Sequence, residues 1–160
     1  MSLAKPHLLW TTCENNSYEL NKACIQAKYL SGRFRTEKLL SHFATDNAPV
    51  CQLHPDTEMV GDLLHHLVLC PSLAPQRSLL FEYWDQISVT SPQAKQILSK
   101  MKTTNHEEFL QFVLDCSAVP EVIAAAQIHG VDLYNILYKA TRTWCYSLYR
   151  ARLKLLNQWS

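Results

Sequence analysis

CQLHPDTEMVGDLLHHLVLCP, residues 51–71, carries a pair of metal-type donors towards each end of a short connecting stretch. Cys51 and His54 form the first pair, Cys-x2-His, in a segment with loop character. His65 and Cys70 form the second, His-x4-Cys, directly before Pro71. Two close pairs of soft or borderline ligands suit tetrahedral Zn²⁺. A structural site of that kind staples a module too small to build its own core. The stretch therefore predicts a zinc-knuckle-like module over residues 49–72, with Zn²⁺ held by Cys51, His54, His65 and Cys70 and no position left open for chemistry.

The second pair carries a geometric condition. The apolar density from Met59 to Leu69, free of breakers, predicts a helix entering it. An unbroken α-helix sets residues five apart about 140° around the axis. His65 and Cys70 then share a metal only if the helix ends before Cys70, as Pro71 predicts. His66 and Cys70, four apart, lie on one face without adjustment, so geometry alone leaves both histidines open. The metal-free alternative puts His54 in a loop, His65 and His66 on the surface and Cys70 in a core.

Outward from this stretch the chain reads as helices. Residues 1–15 are irregular, with turn chemistry at Thr11, Thr12, Asn15 and Asn16. A helix starts after Asn16 or Ser17, with Leu20, Ala23, Cys24, Ala27 and Leu30 on its apolar face, and stops at Ser31-Gly32. A shorter helix covers about Thr36–Phe43, and Ala44–Pro49 is a loop. Beyond Pro71, helices are expected over about Ala74–Ile87, after Ser91-Pro92, after Asn105 with Glu108 completing a capping box, after Val119-Pro120, and over Asp132–Asn157. Three glycines and no Asn-Gly or Asp-Gly pair exclude a hairpin-rich β fold. The fold class is mostly α: a helical bundle with a small zinc-knuckle-like insertion. Its parts are an irregular segment and basic helices (1–48), the knuckle (49–72) and a C-terminal bundle (73–160).

The hydrophobic share of 48% permits a real core. The six cysteines come without a secretory leader, which points to reduced thiols in an intracellular protein. Cys24, Cys116 and Cys145 are expected to be buried small hydrophobes. No apolar run approaches the roughly 18 residues of a membrane span.

Residues 27–36 read AKYLSGRFRT, and Asp62, His65, Cys70, Pro71 and Arg77 follow at fixed places. From about Asn21 to Arg77 the chain resembles the C-terminal region of non-LTR (LINE-type) retrotransposon reverse transcriptases. There a helix ending in such a motif precedes a Cys pair, a D/E-x-x-H-x4-C-P pair and a downstream arginine. The resemblance favours His65 over His66 as ligand. It also exposes a departure, because His54 stands where the family normally has a second Cys. It implies a nucleic-acid-binding fragment or standalone derivative, with the polymerase domain missing from this chain. No Asp-Asp polymerase motif or carboxylate cluster for two-metal phosphoryl transfer is present, so no enzyme activity is expected.

Charge adds its own pointers. Residues 1–50 carry six Lys/Arg against four Asp/Glu, residues 51–130 four against nine, and residues 131–160 five against one, so basic ends flank an acidic middle. Arg33-Phe34-Arg35, with Lys28 and Lys38 nearby, puts an aromatic between two guanidinium groups, a pattern able to clamp phosphate and stack on an unpaired base. A solvated helix end would explain the same charges. On the last helix Lys139, Arg142, Arg150 and Lys154 lie opposite a stripe of Leu133, Ile136, Leu137, Ala140, Trp144, Leu148, Ala151 and Leu155. Trp84, Trp144, Tyr83 and Phe81 are expected in the core. The leading expectation is RNA or DNA binding through backbone contacts. The alternative is a metal-free helical module for protein partners, which the acidic middle favours.

Overall fold

The computed structural model describes residues 7–34, 36–42 and 49–158. It is mostly helical, and its only β pairing among the described residues is an isolated antiparallel bridge between Val50 and Val60. The helices are α1 (Leu8–Thr11), α2 (Ser17–Leu30), α3 (Glu37–Ser41), α4 (Ala74–Ile87), α5 (Pro92–Met101), α6 (His106–Leu114), α7 (Pro120–His129) and α8 (Val131–Gln158). None is long and apolar enough to cross a membrane.

Local chemistry places most helix starts where the sequence puts them. Asn16 Oδ1 accepts from the Tyr18 and Glu19 amides, Thr36 Oγ1 from Leu39, Ser91 Oγ from Ala94, and Asn105 Oδ1 from Glu108. Each side chain satisfies an amide that the first helical turn leaves without a partner. At the end of α2, Gly32 takes φ +69°, the Gly32 amide donates to Tyr29 O and the Arg33 amide donates to Lys28 O. That is a Schellman closure, and the left-handed residue in it needs a glycine. The short α1 lies in a segment expected to be irregular, capped by His7 Nδ1. Phe43 and the Ala44–Pro49 loop fall wholly or largely outside the described residues.

Helix α8 is the axis of the molecule, with α2, α4, α5, α6 and α7 all packed against it. Trp84 and Trp144, both fully buried, lie 5.1 Å apart, with Phe81 and Phe109 closing the cluster. Their indole N–H groups reach carbonyls, Trp84 to Ala140 and Trp144 to Leu67, which satisfies the polar edge of each buried ring. Gln26 of α2 donates to Val113 O and Thr141 Oγ1. Helix α2 therefore shares a core with α6 and α8.

Two expected faces need correction. The buried side of α2 is Lys22, Ala23, Ile25, Gln26 and Tyr29, while Leu20, Cys24 and Leu30 are exposed. Polar side chains can sit in that interface because each finds a partner: Lys22 donates to Glu19 and Thr143, as Gln26 does to α6 and α8. The other correction is Arg142. It is buried, with Nε and Nη2 on Glu19 and Nη1 on Thr12 Oγ1 at 2.7 Å. A helix covered on more than one side buries residues that a single apolar stripe assigns to solvent.

Candidate metal centre

Cys51 and His54 stand on the loop closed by the Val50–Val60 bridge, where the Cys51 amide donates to Met59 O at 2.8 Å. The helix expected from Met59 begins only at Leu63, since residues 59–62 turn back to make that bridge. His65 to Leu69 then winds as a π-helix, and the Cys70 amide bonds to His65 O, five residues back, at 2.8 Å. The wider winding brings His65 and Cys70 onto one side, which an α-helix would not do. Cys70 leaves the helix at φ −55°, ψ 116°, with Pro71 next. The required break is thus a change of helical pitch as well as an end.

The donor atoms of Cys51, His54, His65 and Cys70 all lie within 4.8 Å of one another, so the four can hold a metal ion. His54 Nε2 is 2.9 Å from His65 Nε2 and 3.4 Å from Cys70 Sγ. Asp62 Oδ1 accepts the His65 amide at 2.8 Å and starts the turn that presents the ring. His66 points elsewhere: its Nε2 is 2.5 Å from Glu37 Oε2 and the residue is buried.

Protonation states fit a metal. The single hydrogen of Thr57 Oγ1 goes to His54 O at 2.8 Å, so Oγ1 accepts from His54 Nδ1–H at 2.7 Å. That leaves the lone pair on Nε2, the nitrogen facing the other donors. Burial lowers the His65 pKa and keeps its ring neutral. The hydrogen bond from Cys70, assisted by the Arg152 guanidinium and opposed by burial, holds the Cys51 thiol well below its ordinary value. The same bond and burial push Cys70 up; a cation binding the pair would displace the thiol protons as its ligands become thiolates.

Three residues around the centre escaped the sequence reading. Arg152 Nη1 donates to Cys51 Sγ at 3.4 Å and Nη2 donates to Glu37 Oε1; Glu37 and Thr57 are the other two. Arg152 gave one signal. It falls four residues after Leu148, at the edge of the apolar stripe, where an arginine needs a buried partner.

The expected nucleic-acid residues separate. Lys28, Arg33, Lys38, Lys139, Arg150 and Lys154 are exposed, while Arg35 lies outside the described residues. Phe34 is packed against the protein: it stacks on Tyr29 at 4.0 Å and meets Tyr149 edge-on at 5.6 Å. It is therefore not a free platform for a base. Beside α8 runs an open groove of about 750 Å³ lined by Tyr18, Lys22, Tyr146, Arg150 and Lys154 among others, with no carboxylate in its wall. No protein-family model, curated protein or solved structure matches this chain.

Proposed function

We propose that this protein is a zinc-stabilised helical module that binds single-stranded nucleic acid through its phosphate backbone. The observation that carries the reading is the groove beside α8, which exposes Arg150 and Lys154 beside two tyrosines with no carboxylate in its wall, the buried Lys22 being paired with Glu19. Tyr18 and Tyr146 meet edge-to-face at 6.2 Å, offering aromatic surface between the charges. Lys139, Arg150 and Lys154 continue the positive side along about 22 Å of helix, at about 1.5 Å per residue. The resemblance of residues 27–36 and 62–77 to non-LTR reverse transcriptases points the same way, and it is the sole basis for an origin in such an element.

Zn²⁺ is the ion the donors favour. Two sulfurs and two imidazoles form a structural zinc set. At zinc bond lengths, tetrahedral geometry needs nitrogens about 3.3 Å apart and sulfurs about 3.8 Å apart. The observed 2.9 Å between His54 and His65 is a few tenths short of that, within a small rotation of either ring. Two thiolates neutralise the ion, and four protein ligands leave it no position for catalysis.

The test is retention of single-stranded RNA as a function of salt. We expect binding that weakens steeply with salt, with a log–log slope reduced by about 1.4 in Arg150→Ala/Lys154→Ala, at about 0.7 per lost phosphate contact. No binding at low salt, or a slope unchanged in the double variant, overturns the proposal. An affinity for protein partners without zinc or RNA would favour the metal-free interaction module instead.

A further inference from the structure

Glu37 gathers three elements at one carboxylate. Oε1 accepts from Arg152 Nη2 of α8 and from the Gln52 amide, next to the donor Cys51, at 3.0 Å. Oε2 pairs at 2.5 Å with His66, next to the donor His65. Glu37, His66 and Arg152 are all buried. Gly61 makes the approach possible, since a Cβ there would collide with the Glu37 carboxylate. Both halves of the donor set, loop and π-helix, are thus referred to one side chain.

Arg152 carries that reference into α8. Its second nitrogen donates to Cys51 Sγ at 3.4 Å, so the guanidinium bridges Glu37 and a metal donor. Beyond Leu148, Arg152 is the only buried residue among those of α8 whose burial is described, with Tyr149, Ala151 and Leu155 partly buried against the core. The last turns of the helix are therefore held by that arginine together with a thin apolar edge, and the arginine rests on Cys51 and Glu37. The exposed neighbours Arg150 and Lys154 line the groove beside it.

We propose that Arg152 and Glu37 are positioning residues of the metal centre, and that metal occupancy is transmitted through Arg152 to the end of α8, making the groove's charge arrangement metal-dependent. With the ion bound, Cys51 stays a fixed thiolate and Arg152 keeps both anionic partners. With the ion gone, Cys51 loses the tether that ties its loop to the π-helix and to His54, and the guanidinium loses a fixed anchor. A buried cation that loses one of its partners is costly, so the turns it anchors open more readily. The part of this inference that concerns RNA rests on the nucleic-acid reading above; the part that concerns α8 does not.

The experiment is hydrogen exchange on the full chain, zinc-loaded and chelator-stripped. We expect stripping to speed exchange of the amides of residues 150–158 at least about tenfold while α4 and α6 stay protected. In Arg152→Met/Glu37→Gln, which removes both charges together, those amides should exchange fast with or without zinc. Zinc affinity in that variant should fall about 10–100-fold by chelator competition, as for other residues that orient ligands. Arg152→Lys keeps a charge but loses the fork, and should fall between. Unchanged exchange at 150–158 on stripping, loss of protection spread evenly over α4, α6 and α8, or wild-type zinc affinity in the double variant each overturns the inference. Arg150→Ala/Lys154→Ala separates the two readings: it should weaken RNA retention while keeping zinc-dependent exchange.

Discussion

Replacing His54 by alanine tests the metal centre at the donor that departs from the resembled family. Structural zinc sites bind with roughly 10–16 kcal/mol at neutral pH, so one of four ligands accounts for about 3 kcal/mol. That is a loss of about 10²-fold in affinity, less whatever a water molecule in the vacated position restores. The structure adds a finer expectation, because Thr57 fixes the His54 tautomer by accepting from Nδ1. Thr57→Val leaves all four donors in place and should weaken zinc by about tenfold or more. Cys24→Ser alters an exposed cysteine outside the donor set and should change nothing. Affinities come from competition with a chromophoric chelator, and stoichiometry from elemental analysis. Equal zinc affinity in His54→Ala and the unaltered protein would refute the reasoning, as would purified protein that takes up no zinc.

Two further expectations concern stability. Arg142→Leu leaves Glu19 in the α2–α8 interface without its guanidinium, and should cost about 3–5 kcal/mol in urea denaturation; a loss below about 1 kcal/mol would return Arg142 to the surface role its helix position implies. Burial alone would raise the Glu37 pKa, but the hydrogen bond from His66, the Gln52 amide and the Arg152 charge overcome it and hold it at about 2. Since the folded value lies below the unfolded one of about 4.3, this stabilisation is complete above about pH 4.3 and is lost as pH falls towards about 2. The loss is on the order of 3 kcal/mol. Urea midpoints of chelator-stripped protein should fall over that window, and less steeply in Glu37→Gln; parallel profiles would contradict the assignment.

Much of the fold was legible because helix starts are local chemistry. Asn16, Thr36, Ser91 and Asn105 announce their helices by side chains that reach amides two or three residues on. Faces were less legible. The apolar stripe of α8 was read correctly at Leu133, Leu137, Trp144 and Leu148, yet Arg142 and Arg152 are buried as well. Periodicity reports one apolar side of a helix; it is silent on polar residues buried against a specific partner far along the chain. Glu19 and Arg142 are such a pair, as are Glu37 and Arg152.

The donor set shows the division most clearly. Residues 51–71 by themselves narrowed the donors to Cys51, His54, Cys70 and one of two adjacent histidines, because chain proximity and donor chemistry are written in the spacing. They did not decide between His65 and His66, since an α-helix of fixed pitch favours His66. In the folded chain His65, and not His66, lies with the other three donors. A π-helix puts residues five apart in register, and Glu37, arriving from α3, takes His66 as its own partner. Only tertiary structure can bring a carboxylate from residue 37 and a guanidinium from residue 152 to the same sulfur-bearing loop, because that meeting depends on how α3 and α8 pack and on no local pattern.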